Sequence, residues 1–162
     1  MRPAAALLAA LLLAACTTAP PSPSSTARPS VPPGLEVIAA GYLDLVDVSN
    51  AATCTFNAAL SQSAPALDDL KRASADYAES LIAFTTGLRK IEFPAEMEGD
   101  VVALDHAIGT NHGHVSDMAT AETLDAFIEA DNQLIEANKV AASAATQLRA
   151  DLGLGPAGNP CS

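Results

Sequence analysis

The sequence predicts an all-α protein: an antiparallel up-down-up-down four-helix bundle that follows a signal peptide and a proline-rich linker. Three observations lead there. From about Gly34 to Leu154 the apolar residues recur at spacings of three and four, the helical period. No stretch alternates apolar and polar residues in the manner of a strand. Only two prolines, Pro65 and Pro94, fall in that interval, each where a helix would begin.

The first stripe runs Leu35, Ile38, Tyr42, Leu45, then Ala52, Phe56 and Ala59, with Ser49 in the skipped place. The second begins near Ser63, read as an N-cap with Pro65 in the first turn. It carries Leu67, Leu70, Tyr77, Leu81, Phe84, Leu88 and Ile91, with Ser74 in its skipped place. The third begins at Pro94 and carries Met97, Val101, Leu104, Ile108, Val115 and Met118 around Asn111. The fourth, read as capped by Thr120, carries Leu124, Phe127, Leu134, Ala141, Ala145, Leu148 and Leu152, with Asp131 and Asn138 on the same stripe. Gly153 and Gly155 end it. Helices of about 25 to 30 residues, each near 40 Å long and joined by short turns, lie antiparallel to their neighbours. The many alanines of the first and fourth helices are expected to let those two approach closely.

One polar residue interrupts each stripe. Measured from the end where the first two helices join, at 1.5 Å per residue, Ser49, Ser74, Asn111 and Asp131 fall at roughly 12 to 19 Å. The four are expected to point toward one axis, either as a small polar pocket or as a hydrogen-bonded layer that sets helix register.

Residues 1–33 have a different character. Arg2 precedes an unbroken Ala/Leu run, Ala4 to Leu13, too short for a bilayer that needs about 20 apolar residues but suited to a cleaved export signal at residues 1–15. The run ends in Leu13-Ala14-Ala15-Cys16, which resembles the lipobox of bacterial lipoproteins. The resemblance implies that a diacylglyceryl group is added to Cys16 and that cleavage leaves this cysteine as the mature N-terminus. It implies a protein anchored by lipid on the extracytoplasmic face of the cell membrane. Thr17 differs from the Asp that resembles an inner-membrane retention signal. Residues 16–33 form the lipidated cysteine and its linker: thirteen of the seventeen residues 17–33 are Pro, Ser or Thr. Such a tether favours extended polyproline II, with a reach of roughly 50 Å.

The folded part is then 34–162, one domain by size. Of eight basic residues, Arg2 and Arg28 lie before it, leaving six against nineteen acidic residues, a charge of −13. That argues against nucleic acid and against anionic lipid surfaces, leaving Cys16 as the membrane contact. Beyond Cys16 two cysteines remain, Cys54 and Cys161. In an oxidising compartment an even count reads as one disulfide. It closes a loop of about 106 residues and contributes roughly 4 to 5 kcal/mol in the chain-entropy account. The tail from Gly153 to Cys161 is long enough to fold back over the outside of the bundle to Cys54.

All three histidines, His106, His112 and His114, lie within nine residues of the third helix. His112 and His114 would serve as metal ligands only if a break at Gly109 or Gly113 brought their rings together, because ligand pairs on a helix are spaced at three or four. Otherwise they are surface residues. There is no HExxH motif, phosphate-binding glycine loop or Gly-x-Ser-x-Gly. Glu96 and Asp100 read as part of a solvated face. No cofactor is expected, and no enzymatic activity. The mature chain loosely resembles small Ala-rich helical lipoproteins of bacteria with GC-rich genomes, a resemblance that implies no activity. The expected role is a non-enzymatic cell-envelope module that binds a protein or polymer partner. The alternative is a helical lipoprotein that binds a metal or small solute.

Overall fold

The computed structural model describes residues 30–161. The expected signal peptide, Cys16 and the linker as far as residue 29 lie outside the described residues. Within them the chain is all-helical and the four expected helices are present: α1 (Glu36–Leu60), α2 (Leu67–Leu88), α3 (Glu98–Thr120) and α4 (Leu124–Asp151), with a 3-10 turn, Ala95–Met97, leading into α3.

Local chemistry sets the ends. Gly34, at φ 91°, turns the incoming chain, and its N–H donates to the Glu36 carboxylate at 2.8 Å. α2 begins at Leu67, not near Ser63. Ala66 is still extended, at ψ 141°, and Ser63 stays outside the helix. Pro65 disfavours a helical residue before it, so the helix starts after the proline, with Asp68 and Asp69 in its first turn. The cap of α4 is Thr123, whose hydroxyl oxygen accepts the Ala126 N–H at 3.2 Å. Thr120, expected in that role, is the last residue of α3 and donates back to the Ser116 carbonyl. α4 ends in a Schellman arrangement: Gly153 (φ 66°) donates to the Ala150 carbonyl and Leu154 to that of Arg149. Glycine is required there. Besides the left-handed φ, a Cβ would sit 2.5 Å from the Ser30 carbonyl oxygen, where the incoming chain crosses the end of α4.

The core forms two clusters along the bundle axis. One, nearer the α1–α2 and α3–α4 turns, gathers Phe56, Tyr77, Leu81, Val115, Met118 and Phe127, with Phe56 stacked on Tyr77 at 5.0 Å. The other, at the opposite end, gathers Tyr42, Phe84, Leu88, Leu104, Leu148 and Leu152, with Tyr42 edge-on to Phe84 at 6.4 Å. Ile108 packs against both.

Helices adjacent in sequence pack closely: α1 on α2, α2 on α3, α3 on α4. α1 and α4 form no comparable interface. Here the alanines do not bring the two helices together as the sequence suggested, because alanine permits close approach but supplies little apolar area to drive it. The seam is crossed by the tail. Cys161 forms a disulfide with Cys54, their Cα atoms 5.3 Å apart. Cys54 stands eighteen residues into α1, about 27 Å from the end where α4 stops. The nine steps from Leu152 to Cys161 reach about 30 Å when extended. The tail is long enough for this return, as expected; Ala157 lines the α1–α4 seam on the way, and residues 156–161 are exposed. Arg149 secures its start, its Nε donating to the Gly155 carbonyl at 2.9 Å.

Because both cysteines close the same loop, Cys54→Ser and Cys161→Ser are expected to lower unfolding stability equally, by about 4 kcal/mol. Denaturant titration of each variant, and of the reduced wild type, checks this. Unequal losses would show that one cysteine contributes mainly by packing.

Candidate functional site

The open seam leaves a cleft of about 340 Å³ between α1 and α4, floored by α2 and α3. Its walls are mostly apolar: Val46, Leu81, Phe84, Leu104 and Ile108, with Ala141, Ala142 and Ala145 along α4 and Ala157 from the tail. The lining spans Tyr42 to Thr53 on α1 and Asn138 to Arg149 on α4, each about 16 Å at the helical rise.

Its polar groups lie toward two ends. Near the Cys54 end, Asn111 on α3 is 1% exposed and donates from Nδ2 to Asn138 Oδ1 at 2.7 Å. Asn111 Oδ1 is buried and has no partner. Exchanging O and N in both amides preserves the bond and still leaves one polar atom of Asn111 unsatisfied, so the orphan does not depend on amide orientation. Ser49, Asn50, Thr53 and Tyr77 line the same region. Burial raises the Tyr77 phenol above its usual pKa, against a hydrogen bond with Thr53 that lowers it. At the other end lies Arg149, the only charged side chain in the lining. It acts on Tyr42, whose phenol is raised by burial and drawn partway back by the guanidinium's charge and hydrogen bond. Both phenols stay protonated at neutral pH and can donate.

The expected four-member polar layer is only partly realised. Asn111 and Ser49 line the cleft, with Asn111 buried and Ser49 half-buried. Ser74 is fully buried but spends its hydroxyl on the Leu70 carbonyl of its own helix, at 2.9 Å, and does not line the cleft. Asp131 is half-buried outside the cleft lining, with burial raising its carboxyl pKa. On α4 the neighbouring Ala130 takes the core position, and Asn138, two turns on, supplies the polar partner. One residue turns a side chain by about 100°, so the choice between 130 and 131 decides which faces inward.

His112 and His114 do not converge. α3 runs unbroken through Gly109 and Gly113, which keeps positions two apart roughly 200° apart around the helix. His112 lies beside Ser116, and His114 lines a shallow groove with Glu129 and Glu136. Among the described residues no three His, Cys, Asp or Glu side chains gather where they could hold a metal.

Sequence reasoning missed Tyr42, Tyr77 and Arg149 as site residues. Both tyrosines belong to the apolar stripes. The signal that marks them is general: an inward tyrosine must find a polar partner for its hydroxyl. Arg149 follows Leu148 at the edge of the α4 stripe, and nothing in its spacing distinguishes it from a solvent-facing residue.

No protein-family model, no curated protein and no solved structure matches this chain.

The amide pair makes a specific non-additive prediction. Asn138→Ala strands the buried amide of Asn111 and is expected to cost about 1 to 3 kcal/mol, whereas Asn111→Leu combined with Asn138→Ala costs less than the sum of the single changes. Urea unfolding of the two singles and the double completes the cycle. Additive losses would mean that the two side chains do not interact.

Proposed function

We propose that this chain is a lipoprotein, anchored through Cys16 on the extracytoplasmic face of the cell membrane, whose bundle binds a small, largely apolar molecule in the α1–α4 cleft. The observation that carries the reading is an apolar cleft of about 340 Å³ with a few polar side chains, Asn111, Asn138, Tyr42 and Arg149 among them, in its lining. Cores are ordinarily packed to crystal density. A concave apolar site with a few convergent polar groups is the usual form of a small-molecule site, and this one falls at the lower end of the usual size range. The lining supports binding rather than catalysis. It offers hydroxyls, amides and one guanidinium, but no carboxylate, histidine or thiol to act as base or nucleophile. Of the two roles expected from sequence, this favours the solute-binding alternative over the partner-binding module, and a solute over a metal. Anchoring is supported by the lipobox resemblance at Cys16. No helix among the described residues is long and apolar enough to cross a membrane.

Anchoring predicts that Cys16→Ala removes metabolic acyl labelling and shifts the protein out of the membrane fraction. Unchanged labelling and fractionation would refute it. Ligand binding is checked by thermal unfolding of the mature, disulfide-bonded protein with primary alkanols of increasing length. A probe at 100 times its Kd is expected to add about 2.7 kcal/mol of stability. Ala145→Leu, which fills the cleft from α4, is expected to abolish that gain while leaving the protein folded. A wild type indifferent to every alkanol, or an undiminished gain in Ala145→Leu, would overturn the reading.

A further inference from the structure

We infer that the molecule the cleft accepts is an anionic amphiphile, a chain carboxylic acid, held with its acidic group at Arg149 and Tyr42 and its chain running toward Asn111. The inference rests on the cleft being a binding site and adds the charge class and orientation of the ligand.

Arg149 is the only charged side chain lining the cleft, and no carboxylate lines it. The three ion pairs among the described residues join Arg72 to Asp69, Arg89 to Asp105 and Lys139 to Glu136, all outside the cleft. Arg149 is half-buried. Its Nε is committed to the Gly155 carbonyl, and one contact goes to the Tyr42 hydroxyl. A guanidinium has five donors, so its Nη groups retain donors for a carboxylate, the acceptor whose two oxygens match a guanidinium edge. The Tyr42 phenol, held in its protonated form, is a further donor beside it.

Above this end the floor is apolar for about 10 Å, past Phe84, Leu104 and Ile108, until Asn111, Tyr77, Ser49 and Asn50 bring polar groups back into the lining. A charged group at one end and an apolar floor beyond it describe a site for a chain with a polar head rather than for an evenly polar solute. The domain's negative charge opposes an anion at long range. That field is screened beyond about 8 Å at physiological salt, whereas the contact with Arg149 is direct and partly shielded from water. The same local charge works against a cationic chain.

Arg149 also pins the tail, so its role must be separated from a structural one. Calorimetric titration of the mature, disulfide-bonded protein with the alkanoate, alkanol, alkyl phosphate and alkyltrimethylammonium of one chain length, each below its micelle concentration, does this. The alkanoate is expected to bind at least tenfold tighter than the alkanol. Affinity for alkanoates should rise roughly fourfold per added methylene until the cleft is spanned, the factor given by ~0.8 kcal/mol per buried CH₂. Arg149→Gln is expected to abolish the preference for alkanoate over alkanol, an outcome that a purely structural role for Arg149, which would weaken both probes alike, does not produce. If that variant does not fold, the wild-type ratio of alkanoate to alkanol decides alone. Equal binding of alkanoate and alkanol overturns the headgroup assignment and leaves the cleft as an apolar site. Tighter binding of the phosphate or of the ammonium overturns the carboxylate class. Binding of none of the four overturns the inference together with the function on which it rests.

Discussion

The covalent link between Cys54 on α1 and Cys161 at the end of the tail joins the two helices that packing leaves apart. A four-helix bundle usually buries each helix against two neighbours. Here the helices form a consecutive series, α1 to α4, with close packing at the three sequential interfaces and none comparable between the first and last. The tail takes the place of the missing interface. It leaves α4 through a Schellman turn, is held at its start by Arg149 and is secured at its end by the disulfide. The bond restricts the unfolded chain, which is the usual account of its stabilisation, and it also fixes the course of a segment that has little apolar area of its own. The cleft exists because a thin strap closes the seam instead of a packed helix face.

The two core clusters explain why the opening lies midway along the bundle. Large aromatic and branched residues fill both ends. Between them α4 presents Ala141, Ala142 and Ala145, and α1 presents Val46, Ser49 and Asn50, side chains too short to meet across the seam. The Asn111–Asn138 hydrogen bond lies at this waist. Burying an amide with one atom unpaired costs free energy that an apolar side chain of similar volume would not. Asn138 offsets part of that cost by accepting from the Asn111 amide.

The charge distribution adds a contrast between surface and site. Nineteen acidic residues cover a domain with six basic ones, and neighbouring carboxylates are close enough to interact: Asp151 raises the Asp100 pKa by sharing a hydrogen bond with it and by like charge. Within the cleft the balance reverses, with a guanidinium and no carboxylate. The acidic surface favours solubility and keeps copies apart, while the cleft has the opposite local sign.

The sequence by itself determined the elements. The three-and-four spacing identified four helices and placed most of their inward residues, Tyr42, Leu81, Leu104, Val115, Phe127 and Leu148 among them, because apolar periodicity is a direct image of which face meets the core. Cysteine parity identified the Cys54–Cys161 bond, because only one pairing is available once Cys16 is set aside. Asn111 was legible as an inward polar residue for the same reason as its apolar neighbours. What only the tertiary structure decided is which polar groups meet. Asp131 against Ala130 is a difference of one residue: both lie between Phe127 and Leu134 at spacings of three and four, and their side chains point about 100° apart. The opening of the α1–α4 seam, the tail's path along it and the position of Arg149 beside Tyr42 depend on contacts between segments more than 50 residues apart, and local periodicity carries no information about the distance between two faces that both point inward.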